Sequence, residues 1–131
     1  MAKATSGPIS TVTLQRTFRA EGGALTRGYG VMAGTADDQV KLPTGAAVRT
    51  VGVVHEDASA AGKAVAVVSF GECIGIAGAA ILRGDRVKVM ASGKWEPGNA
   101  ADVETGGYAV SAAAADGDEF VMFVQPIHKR A

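Results

Sequence analysis

Residues 52–69 read GVVHEDASAAGKAVAVVS, and residues 107–124 read GYAVSAAAADGDEFVMFV. Each stretch begins with a glycine and an apolar run, crosses an alanine-rich segment to a second glycine, and ends in a Val-rich run. The first glycines stand 55 residues apart, and so do the second glycines, Gly62 and Gly117. This spacing predicts one unit used twice, each time as strand, loop, turn and strand. Gly62 and Gly117 are the predicted turn glycines, because a reversal between strands often needs a positive φ.

The repeat continues upstream of both stretches. Residues 25–28, LTRG, precede the first stretch, and residues 81–84, ILRG, precede the second at an offset of 56. Two blocks that keep nearly the same offset argue against a chance match between Gly- and Ala-rich segments. We therefore predict two similar β-units, over residues 22–70 and 77–125.

The rest of the chain carries the same short-strand signature. Val-rich runs over residues 48–55, 64–70, 86–90 and 119–125 are bounded by Gly, Asp or Pro, and helix signals are limited to single turns. The length of 131 residues suits one domain or two tightly fused lobes. We predict an all-β fold, a small β-barrel or sandwich built from the two units.

The N-terminal residues belong to neither repeat. Residues 1–17 are rich in Ser and Thr and include the alternating piece Thr-Val-Thr-Leu at 11–14. We predict an extended N-terminal arm over 1–17, followed by a β-domain over 18–131. The arm is either a disordered tail or a strand added to a neighbouring protein. In the second case Val12 and Leu14 are its partner-binding residues.

Composition argues against several classes of protein. Thirteen Lys and Arg balance thirteen Asp and Glu, and no basic cluster predicts nucleic-acid binding. The longest apolar stretch, residues 73–82, is about half the length of a membrane span, so no membrane association is expected. The lone Cys73 excludes an intramolecular disulfide and suits folding in a reducing cytoplasm, and we expect it to be a buried structural thiol.

No motif predicts chemistry. The triplet His55-Glu56-Asp57 is the densest titratable cluster, but adjacent strand residues point to opposite faces and cannot converge. One Cys and two distant His do not supply a structural zinc site. We therefore predict no catalytic residues, no cofactor and no metal, and we expect the protein not to be an enzyme.

The glycine and valine pattern resembles the phage capsid cement proteins, a family of small head decoration proteins rich in Ala, Gly and Val. The resemblance covers about residues 18–125. It rests on the turn signals of GGALTRGYGV at 22–31, on GV followed by a distant G at 52–62, on GDRV at 84–87, on GK at 93–94, and on the closing unit at 107–117.

The resemblance implies a structural role. Members of this family are β-rich, usually form trimers, and bind the outer face of an icosahedral head, where they bridge capsomers of the major capsid protein. It therefore implies a homo-oligomer, a trimer, located on the outer capsid surface of the virion after synthesis in the host cytoplasm. Two alternatives stay open: a phage tail or baseplate β-domain, and a small ligand-binding or enzymatic β-barrel.

Overall fold

The structure, a computed structural model, describes residues 13–98 and 104–128. All regular secondary structure in these two ranges is β-strand, so the predicted all-β fold is confirmed. The described residues contain no helix long and apolar enough to cross a membrane. The strands are β1 (Leu14–Ala20), β2 (Gly30–Ala33), β3 (Gln39–Lys41), β4 (Gly52–Glu56), β5 (Ala64–Ile76), β6 (Arg86–Val89), β7 (Trp95–Pro97), β8 (Glu104–Ala109) and β9 (Glu119–His128).

The first half of the chain forms a closed five-stranded barrel, which we call unit 1. Its strand order is β1-β3-β2-β4-β5, and antiparallel pairing of β1 with β5 closes the circle. The β1–β3 pairing is parallel, and the others are antiparallel. Closure removes the free sheet edges that would otherwise promote aggregation. The interior is filled by Phe18, Ala20, Leu25, Val31, Val40, Val54, Ala58, Val65 and Val67.

The second half forms unit 2, which shares the long strand β5 with unit 1. Residues 64–70 of β5 pair with β1, and residues 71–76 pair with β9. The order continues through β8 and β6 to β7, and a parallel bridge from Ala77 to Trp95 returns β7 to the end of β5. Its interior is formed by Val53, Val68, Cys73, Ala77, Ile81, Val87, Val89, Trp95, Ala109, Ala113, Phe120, Met122 and Val124.

The two units repeat the same hydrogen bonds. Leu25 and Ala58 exchange both backbone N–H to C=O bonds, and so do Ile81 and Ala113 in unit 2. Each unit begins with a strand that precedes the repeated sequence. This strand is β1 in unit 1 and residues 71–76 of β5 in unit 2. The predicted limits, 22–70 and 77–125, therefore begin one strand too late. The cause is that these first strands differ in sequence between the units.

A bulge moves β5 from one core to the other. Leu14 opposes Phe70, whereas the next β1 residue, Gln15, opposes Val68, so β5 carries one extra residue here. Before the bulge, strand alternation places Val67 in the core of unit 1 and Val68 in that of unit 2, whereas after it Cys73, an odd-numbered residue like Val67, lies in the core of unit 2. A bulge of this kind bends a strand and re-aims its side chains. The single strand β5 can therefore belong to both units.

The predicted boundary of the N-terminal arm does not match the structure. Strand β1 begins at Leu14 and pairs with β5 of the same chain as far as Arg19, so the division at 17 and 18 falls inside a strand. Residues 14–17 are therefore part of the domain. Val12 and the rest of residues 1–12 lie outside the described residues, and the arm proposed for them stays a prediction.

The units differ where residues of unit 1 insert into unit 2. In unit 1 the N–H of Arg19 donates to the Asp38 carbonyl oxygen over 2.7 Å, which joins β1 directly to the turn before β3. The corresponding N–H in unit 2, that of Ile76, donates instead to the Gly28 carbonyl oxygen over 3.1 Å. Residues 28–30 of unit 1 thus take the position in unit 2 that the turn before β3 takes in unit 1, and the two units form one packed domain.

Candidate interaction surfaces

The titratable groups singled out in the sequence lie apart at the surface. His55 and Glu56 are exposed on β4, and the Asp57 carboxylate accepts the backbone N–H of Arg27. Among the described residues no group of three His, Cys, Asp or Glu side chains could hold a metal ion. General acid–base chemistry requires such groups to converge in a pocket, and this triplet does not.

Cys73 is buried in the core of unit 2, as predicted, with 4% of its surface exposed. Burial raises the pKa of its thiol to about 12, and the charge of Arg27 offsets this only in part. The thiolate is the reactive form of cysteine, so a thiol with such a raised pKa is inert at neutral pH. Cys73 is a packing residue in this fold.

The predicted turn glycines both have positive φ. Gly62 has φ +83° and Gly117 has φ +91°, and a Cβ at either position would meet nothing within 4 Å. Backbone conformation, not crowding, therefore selects glycine at these two turns. They belong to the tips of the loops and do not contribute a binding group.

The most prominent apolar surface is a group of side chains that we call the aromatic patch. Its members are Leu14, Phe70, Tyr108 and Phe123. The Phe70 and Phe123 rings meet edge to face with centroids 5.2 Å apart, and the Tyr108 ring stacks on Phe123 at 5.5 Å. Leu14 is 58%, Phe70 45% and Tyr108 42% exposed. Exposed aromatic clusters of this kind mark surfaces that contact other molecules.

Strand register builds the aromatic patch across four strands. Leu14 of β1 opposes Phe70 of β5, and Tyr108 of β8 opposes Phe123 of β9. Phe123 also opposes Glu72, which lies two residues beyond Phe70 on the same face of β5. Opposed residues in an antiparallel pair share a face, so the four apolar side chains form one continuous strip.

The repeat gives this strip a counterpart in unit 1. The pair Tyr108 and Phe123 corresponds, 55 residues earlier, to the pair Val53 and Val68, which also oppose each other. Val53 is 0% and Val68 1% exposed, because unit 2 covers them. The same face of the repeated sheet is thus covered in unit 1, whereas in unit 2 the described residues leave it open to solvent.

Sequence reasoning missed the aromatic patch, although a signal for it existed. The alignment of the two repeats places Tyr108 opposite Val53 and Phe123 opposite Val68. A change from valine to an aromatic residue at two positions of one face marks a difference in what covers that face. Phe70 could not be found in this way, because the pairing of β5 with β9, which brings Phe70 beside Phe123, is not visible in the sequence.

A smaller apolar surface lies at the far end of unit 2. Leu82 is 70% exposed and lines an open groove with Ala112 and Ala114. Two of these three residues are alanines, so the groove offers less apolar area than the aromatic patch.

Several charged groups on the surface of the described residues form small pairs of opposite sign. Arg19 lies 2.8 Å from Asp38, and Lys94 lies 2.9 Å from Asp116. Contact with Arg19 lowers the pKa of Asp38, and contact with Asp116 raises that of Lys94. Exposed pairs of this kind contribute little to stability, because water and salt screen the attraction. The surface therefore offers apolar contact more than a strong field of one sign.

Comparison with known proteins gives a match in structure. No family model matches the chain, and no curated protein matches it. A solved structure, the N base of the head fiber gp8.5 in bacteriophage phi29, superposes with a TM-score of 0.67. The match covers 92% of this chain and 100% of that chain at 19% sequence identity. At this identity the match shows a shared fold, which extends over both units.

Proposed function

We propose that this protein is a structural component of a phage head. In this proposal it binds the outer surface of an icosahedral head as a homotrimer and stabilises the shell by bridging capsomers of the major capsid protein. The protein carries out no catalysis and requires no cofactor in this role.

The observation that carries the proposal is the fold match. The solved structure is described as the base of a phage head fiber, and all of that chain is matched by 92% of this one. The turn pattern of the sequence separately resembles the head decoration proteins. Fold and sequence pattern thus suggest the same class of protein by different routes.

Surface chemistry supports an assembly role. The aromatic patch provides apolar contact area flanked by polar groups, which is the usual anatomy of a protein interface. Formal charge is balanced, so attachment does not depend on attraction to nucleic acid. A stable interface needs roughly 1,000 Å² or more of buried surface, an area that a trimer bound through several contacts can reach.

The proposal is tested by binding the purified protein to expanded shells that lack it. We expect the protein to decorate the outside of the shells and to raise the temperature at which they disassemble. A variant with Tyr108→Ser and Phe70→Ser tests whether the aromatic patch contributes, and Leu82→Ser is the matched control on the other apolar surface. Absence of binding by the unaltered protein would refute the head role.

A further inference from the structure

The aromatic patch lies between two opposite charges. Glu72 of β5 opposes Phe123 of β9. Phe123 in turn opposes Tyr108 of β8, and Tyr108 opposes Arg86 of β6. Opposed residues in an antiparallel pair share a face of the sheet. The outer face of unit 2 therefore carries a carboxylate, two aromatic side chains and a guanidinium, in that order across four strands.

This outer face is convex. The core of unit 2 lies on the other face of the same sheet, and β7 returns to the end of β5 through the bridge between Ala77 and Trp95. The sheet therefore curls around its core, and the aromatic side chains form a crest. Glu72, which is half-buried, and Arg86, which is exposed, lie on opposite flanks of that crest.

The repeat indicates that this face is built to be covered. The corresponding pair in unit 1, Val53 and Val68, is buried under unit 2 of the same chain. In unit 2 the described residues leave Phe70 45% and Tyr108 42% exposed. Covering these aromatic side chains would remove apolar surface from water, which favours association.

The charges indicate what covers the crest. The flank with Glu72 and the flank with Arg86 are complementary in sign, so the surface is complementary to a second copy of itself. Two convex faces pressed together would touch only at their crests, whereas copies arranged around an axis meet flank to flank. Contacts that join one flank to the other generate a closed cyclic assembly.

We propose that the aromatic patch faces the axis of a homotrimer and that Glu72 of each copy pairs with Arg86 of the next copy. The proposal rests on the trimer of the proposed function and assigns the surface that forms it. The aromatic side chains of three copies pack together around the axis, and three ion pairs join the flanks. Aromatic residues at the centre of an interface with charged groups at its rim are the usual arrangement.

Charge reversal tests the contact between flanks, because β9 and β8 separate Glu72 from Arg86 within one chain. Glu72→Arg or Arg86→Glu alone places like charges at every contact, and we expect the dissociation constant of the trimer to rise at least about tenfold. The double variant restores opposite charges and should recover most of this loss. Arg83→Glu makes the same charge change at an exposed turn residue and should leave the constant unchanged.

A second substitution tests the aromatic contact. Tyr108 is partly exposed, so Tyr108→Ser leaves the core of unit 2 intact, and we expect it to raise the dissociation constant at least about tenfold, as loss of a central aromatic contact does. Leu82→Ser is the matched control on the other apolar surface. Sedimentation equilibrium of the full chain gives the constants, and circular dichroism verifies that each variant folds.

Two results would overturn the proposal. One is a native chain that stays monomeric or dimeric throughout the concentration range. The other is a folded double variant that does not recover the trimer lost in the single variants. Binding to expanded shells is measured separately: a monomer that decorates shells refutes this interface alone, whereas a trimer that responds as expected but does not bind shells supports the interface and refutes the head role.

Discussion

The indole Nε1 of Trp95 donates a hydrogen bond to the carbonyl oxygen of Gly28 over 3.2 Å, and this bond joins the two units. The same carbonyl oxygen accepts the N–H of Ile76, so one atom of unit 1 is held by two strands of unit 2. Trp95 is fully buried, and a Cβ on Gly30 would lie 2.7 Å from its ring. The fit of Trp95 against residues 28–30 therefore couples folding of unit 2 to folding of unit 1.

Trp95 should be a major determinant of stability. Trp95→Phe keeps most of the apolar contact but loses the bond to Gly28, and we expect a loss of about 1–3 kcal/mol because the buried carbonyl loses one of its donors. Trp95→Ala also leaves a cavity and should cost about 3–5 kcal/mol. Chemical denaturation measures both. If both variants lost only a small and equal amount of unfolding free energy, the two units would not depend on this contact.

Two glycines with positive φ should respond differently to alanine. Gly117→Ala meets open space and should cost about 1–2 kcal/mol from backbone strain alone. At Gly107 a Cβ would clash with the carbonyl oxygen of Phe123, so Gly107→Ala must also separate β8 from β9. We expect it to cost about 3 kcal/mol or more. Thermal unfolding distinguishes the two variants, and similar losses would contradict the register described for β8.

The buried thiol of Cys73 makes stability depend on pH in the alkaline range. Its pKa is raised from 9.0 to about 12 in the folded protein. As the pH rises, the thiol therefore loses its proton in the unfolded chain before it does so in the folded protein. The free energy of unfolding keeps its full value below pH 9 and falls between pH 9 and 12. Across this range the thiol lowers the free energy of unfolding by a few kcal/mol, because each unit of pKa difference corresponds to about 1.4 kcal/mol.

Comparison with Cys73→Val isolates this effect, since Lys and Tyr groups titrate in the same range. Free energies of unfolding are measured for both proteins from pH 8 to 11. The difference between them should grow as the pH rises, with the native protein losing more stability. If the difference in free energy of unfolding between the two proteins did not change with pH, the thiol would have the same pKa in the folded and unfolded states.

The triplet on β4 should tolerate substitution. His55 and Glu56 are exposed, so replacing both with Ala should change the free energy of unfolding by less than about 1 kcal/mol. Shell binding should be unchanged as well. A specific loss of binding or of any measurable turnover in this variant, with folding intact, would show that the triplet has a function that the account does not give it.

Sequence was sufficient for the parts of the fold that carry strong local signals. The Val-rich runs over residues 48–55, 64–70, 86–90 and 119–125 correspond to β4, β5, β6 and β9, and the repeat indicated two similar β-units. The three short strands β2, β3 and β7 were not predicted. They have three or four residues each, and their pairing depends on neighbours that are distant in sequence.

The candidate surfaces were harder to predict for the same reason. The start of β1 at Leu14 depends on pairing with Phe70, a contact across 56 residues that no local pattern contains. Phe70 meets Phe123 because β5 pairs with β9 so that Phe123 opposes Glu72, two residues from Phe70, and this pairing also joins segments distant in sequence. Strand alternation therefore indicated that Leu14 was a contact residue, but it gave neither the strand to which Leu14 belongs nor the patch that surrounds it.

The central claim is that this protein is part of a phage head, and its copy number in purified virions tests that claim most directly. Quantitative mass spectrometry compares this chain with the major capsid protein, and surface labelling of intact particles reports whether it lies outside. The account predicts a copy number of the same order as the capsid protein and labelling without disruption of the shell. Absence from purified virions, or the few copies expected of a tail or baseplate component, would contradict it.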